Sequence, residues 1–254
     1  MDLIDKKKQL DEEGYCIIPD VLDAASVANL RDKLWAAADA SEKRGLRTRN
    51  IGIDPNEHNV RVFNLIDLDP AFIGIAQHKL AMDIVTHLLG PDFLLSNLTA
   101  NIALPGAKSM KIHSDQGIVV PEPWFYPWSI NIIWCLDDIY EANGATRFIP
   151  GSQKYKWSHE LPDDASDRTI AFTAKAGSVI AMDGRTWHTS GANVTADKQR
   201  ALLFGYYSSA FIRPQQNWNA ALSEATLKNL DPQMQEMLGL GAVANTKLGR
   251  VLVS

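Results

Sequence analysis

The sequence predicts an α+β protein in which a β-barrel core carries helices on its outside. Three observations predict it. Apolar residues recur at helical spacing through about the first 92 positions. From Phe93 they fall instead into short runs cut by turn dipeptides, and after Leu222 helical spacing returns.

The elements follow in order. Leu3–Glu13 has helical spacing and meets Gly14, the residue best suited to the left-handed cap that ends a helix. Tyr15–Ile18 is a brief apolar run closed by Pro19, a strand. Ser26–Ala40 places Val27, Leu30, Leu34 and Ala37 or Ala38 on one face, an amphipathic helix. Asp69-Pro70 opens another helix, with Phe72, Ile75, Ala76, Leu80 and Ile84 inward, and Gly90-Pro91 ends it. Strands are expected at 93–102, 108–113, 128–136, 145–149, 169–174, 178–182 and 200–207. Pro105-Gly106, Asn143-Gly144, Pro150-Gly151, Ala176-Gly177 and Asp183-Gly184 mark the turns between them. Short strands at that spacing build a sandwich or barrel, the double-sheet jelly roll among them. Leu222–Leu238 reads as helix again. With no internal repeat to suggest a solenoid, residues 1–254 read as one domain: a helical part over about 1–92, a core over about 93–213, and a helical tail.

Composition narrows the class. An apolar fraction of 46% and a charged fraction of 22% are those of an ordinary soluble protein, and no run is long enough to span a membrane. A net charge of −5 gives no reason to expect a nucleic-acid partner. Cys16 and Cys135 stand far apart without a CxxC pair, which argues against a disulfide framework and a structural zinc site. The charged N-terminus lacks the apolar centre of a signal peptide, so a cytoplasmic protein is expected.

Chemistry concentrates at His113-Ser114-Asp115. On an extended chain, residues two apart project from the same face, so an imidazole and a carboxylate converge. His188, 73 residues after Asp115, supplies a third donor. Two histidines and one carboxylate make the facial triad of non-haem iron(II) enzymes, which leaves metal positions open for substrates. Alone, His-x-Asp arises by chance in many proteins. Arg200 adds to it, twelve residues beyond His188 in a strand expected to lie beside it. A guanidinium there can hold a carboxylate in a charge-assisted fork.

With these residues in place the chain resembles the phytanoyl-CoA dioxygenase family of iron(II)- and 2-oxoglutarate-dependent oxygenases. The resemblance runs through Gly14–Leu22, Leu104–Ala107, His113–Gln116, Leu136–Asp138, Asn143–Ser152, His188–Gly191, Asn193 and Arg200. It implies a double-stranded β-helix (jelly-roll, cupin-like) fold, with Fe(II) on His113, Asp115 and His188. It further implies 2-oxoglutarate as co-substrate, its far carboxylate on Arg200, with O2 as oxidant. Thr146, Ser190 and Arg61 are implied as further contacts of 2-oxoglutarate. Where the family often has a histidine after Pro-Gly-Ser, this chain has Gln153. Relatives that halogenate replace the aspartate with a small residue; Asp115 is retained, which favours hydroxylation.

The segment Pro121–Trp128 is rich in aromatic residues and proline and follows the first two ligands closely. It reads either as a loop lining an apolar pocket or as a packed cover on the barrel end. Gln116, Trp124, Phe125, Asn131 and Trp134 are the candidate pocket residues. Asn131 and Trp134 differ by an odd number, so only one of them points inward. Phe211–Trp218 reads as a lid or as packing. His58, His78, His87 and His159 have no spacing that suggests a site. The expected reaction is hydroxylation of a C–H bond in a small, largely apolar molecule. The alternatives are an acyl-CoA hydroxylase of the same family, a cupin-like enzyme that does not use 2-oxoglutarate, and a binding module. Oligomeric state is left open between monomer and homodimer.

Overall fold

The first helix, α1 (Leu3–Glu13), starts at Asp2, whose carboxylate accepts from the Ile4 amide, and stops where Gly14 turns left-handed at φ 82°. It belongs to a computed structural model that describes residues 2–241. Next come β1 (Tyr15–Ile18) and α2 (Ala24–Lys43). The second helix begins earlier than its apolar stripe because Asp23 caps it, accepting from the Ser26 amide at 2.7 Å.

A strand not expected from the sequence, β2 (Asn59–Val62), follows. The helix expected from Asp69-Pro70 to Gly90 is two helices, α3 (Pro70–Ala76) and α4 (Lys79–Leu89). The break at Gln77 and His78 re-phases the apolar stripe. Phe72, Ile75 and Ala76 are buried in the first helix and Ala81, Ile84 and Val85 in the second, while Leu80 is only half-buried.

The remaining strands are β3 (Phe93–Ala103), β4 (His113–Ser114), β5 (Ser129–Cys135), β6 (Thr146–Phe148), β7 (Ile170–Ala171), β8 (Val179–Asp183), β9 (Trp187–Ser190) and β10 (Arg200–Ser209). They form two antiparallel sheets, a larger one ordered β1-β8-β5-β10-β3-β2 and a smaller one ordered β4-β9-β6-β7. The two sheets enclose the jelly-roll interior. Thus the N-terminal part, read as helical around one short strand, supplies both edges of the larger sheet.

Two apolar clusters explain why the sheets stack this way. Ile130, Ile132 and Trp134 of β5 face outward and join Leu34, Phe72, Ile84 and Trp218 under the helices. Ile133 and Cys135 face inward and join Ile180, Met182, Leu202, Phe148 and Phe172 between the sheets. A strand buried on both faces reads as a continuous apolar run. Tyr15, Phe148 and Phe172 fill one end of the interior, the last two stacked with centroids 4.1 Å apart.

Three further expectations change. The strand expected at 108–113 is reduced to His113–Ser114. Before it, Met110 is held by side chains, its amide donating to Ser190 Oγ and its carbonyl accepting from Thr189 Oγ1. The strand expected at 169–174 is reduced to Ile170–Ala171. After the short α5 (Trp218–Ala221), the tail expected as helix over Leu222–Leu238 is two helices, α6 (Glu224–Asn229) and α7 (Pro232–Met237). Pro232 cannot continue a preceding helix and instead starts a new one. Among the described residues no helix is long and apolar enough to cross a membrane.

Candidate active site

The smaller sheet sets two ligands face to face, because β4 and β9 pair with His113 opposite His188. Their ring centroids are 4.4 Å apart. Ser114 is extended (φ −117°, ψ 136°), so Asp115, just past the strand end, shares a face with His113. Nε2 of His113 lies 3.9 Å and Nε2 of His188 3.7 Å from Asp115 Oδ1. One ligand atom from each residue can be chosen so that all three lie within 4.8 Å of one another.

The tautomers follow from the second ring nitrogens. Nδ1 of His113 lies 2.9 Å from the Lys111 carbonyl, and Nδ1 of His188 lies 2.9 Å from the Thr186 carbonyl. A carbonyl only accepts, so each Nδ1 carries a proton, and Nε2 on the side of Asp115 is the nitrogen left to serve a metal. Burial holds His188 below the ordinary histidine range; neighbouring His113 pushes the same way and Asp115 opposes. Neutral imidazole is the metal-binding form. Two imidazoles and one carboxylate fit iron(II), and no other His, Cys, Asp or Glu joins the cluster among the described residues.

A second pole lies deeper. Arg200 projects from β10 into the interior and is 1% exposed. Its Nε donates to the Gly144 carbonyl at 3.0 Å and its Nη1 to Asn101 Oδ1 at 3.1 Å. Gly144 sits at φ +84°, and a Cβ there would come 3.1 Å from the Gly191 carbonyl, so only glycine suits this turn. Arg200 forms no ion pair among the described residues. Burial brings its pKa down to about 10, and Arg61 adds to the effect.

Arg200 is not beside His188, as its spacing suggested. β10 pairs with β3 and β5 in the larger sheet, while β9 pairs with β4 and β6 in the smaller. Residues 191–199 cross between sheets instead of closing a hairpin. Between the two poles lies the pair Thr146 and Ser190, opposite each other in register. They share the inner face with Phe148 and His188, one step further toward Arg200.

The other candidates divide. Arg61, on β2, is engaged by Asp54 in a two-point ion pair at 2.9 and 2.7 Å. Gln116 is fully buried and spends its amide on the loop, donating to the Tyr126 carbonyl and accepting from the Trp128 amide. Trp124 is buried within that loop, its Nε1 donating to the Val119 carbonyl. Phe125 is exposed, with Lys156 over its ring at 5.1 Å. Asn131 points inward and reaches Asp115. Trp134 points to the helices, edge-on to His78 at 5.0 Å, so it is not a pocket residue. In the segment read as lid or packing, Trp218 is buried and donates to the Leu95 carbonyl, whereas Phe211 is exposed, edge-on to Trp128.

Sequence reasoning missed Asn101, which holds the Arg200 guanidinium, and Tyr206, whose hydroxyl donates to the Asp115 carbonyl at 3.0 Å. A signal existed for Tyr206. It is an even number of residues from Arg200 on one strand, and so shares its face.

Over residues 10–201 the chain matches the family described as Phytanoyl-CoA dioxygenase (PhyH). It belongs to the phytanoyl-CoA dioxygenase family. Dioxygenase af480 of Aspergillus fumigatus is 45% identical over 243 residues, covering 96% of this chain and 79% of that protein. Among solved structures, EctD from S. alaskensis with 2-oxoglutarate and 5-hydroxyectoine superposes with TM-score 0.68 at 23% identity, covering 81% of this chain and 76% of that one. The non-haem alpha ketoglutarate dependent carbocyclase SnoK from nogalamycin biosynthesis does so with TM-score 0.67 at 21% identity, covering 90% of each chain. These two show the shared fold. Like its phytanoyl-CoA dioxygenase relatives, the chain is an enzyme of the dioxygenase class.

Proposed function

We propose that the chain is an iron(II)- and 2-oxoglutarate-dependent oxygenase that hydroxylates a C–H bond of a small, largely apolar molecule. The observation that carries this reading is the pairing of two poles in one interior. A His-Asp-His donor set stands at one, and at the other a buried guanidinium with no carboxylate partner among the described residues. An uncompensated buried charge is costly unless a ligand completes it. A dicarboxylate with a metal-chelating end and a free carboxylate suits both poles. EctD, which shares the fold, is solved with 2-oxoglutarate.

Each side chain then has a defined task. His113 and His188 offer Nε2 and Asp115 offers Oδ1 to iron(II), which when bound with the co-substrate supplies oxygen activation. Arg200 receives the far carboxylate of 2-oxoglutarate in a charge-assisted fork. Thr146 and Ser190 flank the path between the poles, and Arg61 adds positive potential while Asp54 holds it in place. The apolar interior formed by Ile133, Leu202 and Phe148 excludes water from the inner side of the site. Overall, substrate, O2 and 2-oxoglutarate give hydroxylated substrate, succinate and CO2. The protein binds and orients the reactants, and the retained Asp115 leaves no position for halide in its place.

The Pro121–Trp128 loop is tied to Gln116, the residue after Asp115, and carries exposed Phe125 and Tyr126. That aromatic rim supports an apolar substrate. The test is anaerobic titration with iron(II) and 2-oxoglutarate, followed by exposure to O2 with a panel of small apolar molecules and acyl-CoA thioesters. A weak visible charge-transfer band and succinate released in step with an apolar product are expected. No band and no succinate with any member would overturn the reading. Coupled turnover restricted to thioesters would replace the substrate class and leave the chemistry standing.

A further inference from the structure

Asp115 is held from two sides by a pair of residues on adjacent strands. Asn131 of β5 and Tyr206 of β10 are partners in register and project into the interior together. Asn131 Nδ2 donates to Asp115 Oδ2 at 3.0 Å, and the Tyr206 hydroxyl donates to the Asp115 carbonyl at 3.0 Å. A carboxylate offers only acceptors, so the amide must present its NH2 end to it. With Oδ2 engaged, Oδ1 remains for the histidines, 3.9 and 3.7 Å from their Nε2 atoms.

The other end of the amide is informative. Asn131 Oδ1 is buried and has no hydrogen-bond partner among the described residues. An unsatisfied buried carbonyl costs desolvation free energy that an apolar side chain of similar size avoids. Stability alone therefore gives no reason for an amide here. Its donor end is what the position uses, and that donor end touches Asp115.

We propose that Asn131 is the positioning residue that keeps Asp115 a one-oxygen metal ligand, with Tyr206 fixing the backbone beneath it. The inference rests on the reading of His113, Asp115 and His188 as a metal site. A carboxylate free to turn can offer both oxygens to an ion and so occupy a position the co-substrate or oxygen needs. Asn131 opposes that by occupying Oδ2. Partners of this kind, one step removed from the metal, typically change its affinity by about tenfold to a hundredfold when lost.

The test uses Co(II) as the probe on the full chain, with calorimetric affinity and the visible d–d spectrum as readouts. Asn131→Leu is expected to weaken Co(II) binding by about tenfold to a hundredfold and to alter the band, which follows coordination number. Tyr206→Phe should shift both in the same direction by less. Asn131→Ser, too short to reach Oδ2, should reproduce the leucine result and replaces it where leucine does not fold. Affinity within about twofold of the unsubstituted chain, with an unchanged band in either Asn131 variant, would overturn the inference. A His188→Ala control separates the two levels. Where the unsubstituted chain shows no His188-dependent Co(II) binding, the metal reading itself fails and this inference falls with it.

Discussion

The two sheets divide the labour unequally. The larger has strands of up to 11 residues whose central members are buried on both faces. The smaller has strands of two to four residues, partly exposed. Yet the smaller sheet carries His113 and His188, with Thr146 and Ser190 beside them. The larger contributes Arg200 and the groups that brace the ligands, Asn131 and Tyr206. Rigidity comes from the sheet with the apolar contacts, and chemistry from the one whose few residues it holds in place. A precise site built on short strands needs such a support.

Paired substitutions break this comparison most directly. His188→Ala should abolish detectable metal binding while leaving the fold intact, because the loss falls on a ligand and not on a cluster of apolar contacts. Leu203, fully buried between β10 and the helices, is the counterpart. Leu203→Ala should cost about 2–5 kcal/mol of unfolding free energy through lost burial and a residual cavity. Metal affinity of the still-folded fraction should be nearly unchanged. Urea unfolding and metal calorimetry on both variants check the contrast. Loss of stability by both alike would show that the smaller sheet is no mere passenger.

Arg200 tests the link between the sheets with a smaller effect. Arg200→Met removes the charge and keeps most of the volume. Affinity for 2-oxoglutarate should fall by about 1.5–3 kcal/mol, the worth of a hydrogen-bonded charged group. Metal affinity should not move, since Arg200 has no contact with His113, Asp115 or His188 among its hydrogen bonds. Titration of 2-oxoglutarate into the metal-loaded protein measures the first quantity. An unchanged co-substrate affinity would remove Arg200 from the site.

How much of this was legible in the sequence depended on which rule each residue obeyed. His113 and Asp115 were legible because a period of two is a local property. α1 and its Gly14 cap were legible for the same reason. The neighbour of Arg200 was not, because a twelve-residue gap reads equally well as a hairpin or as a crossing between sheets. Nor did the facing of Asn131 and Trp134 show, since every residue of β5 is buried and no polar alternation marks the inner side. β2 did carry a signal, Asn-Val-Arg-Val, with its polar residues inward beside Asn101 and its valines under the helices. The inversion of the usual pattern, together with its four-residue length, hid it. The bond from Asn131 to Asp115 joins residues from different elements, which no local pattern reports.

The smallest expected effect lies along the edge of the smaller sheet, where residues before β4 run beside β9. Thr189 Oγ1 donates to the Met110 carbonyl at 2.6 Å, and Ser190 Oγ accepts from the Met110 amide at 3.1 Å. These bonds replace the ladder that a strand at 108–113 would have had. Thr189→Val keeps the shape and removes one of them, for a cost of about 0.5–1.5 kcal/mol. In a chain of this size that lowers Tm by a few degrees at most, about 2–4 °C per kcal/mol. The sharper readout is local. Lys108 and Lys111 lie in the segment that Met110 anchors, so tryptic cleavage there should quicken before any global unfolding shows. Cleavage at the unsubstituted rate would mean that the Thr189 bond does not hold the segment before His113, and that the smaller sheet needs less support than its short strands suggest.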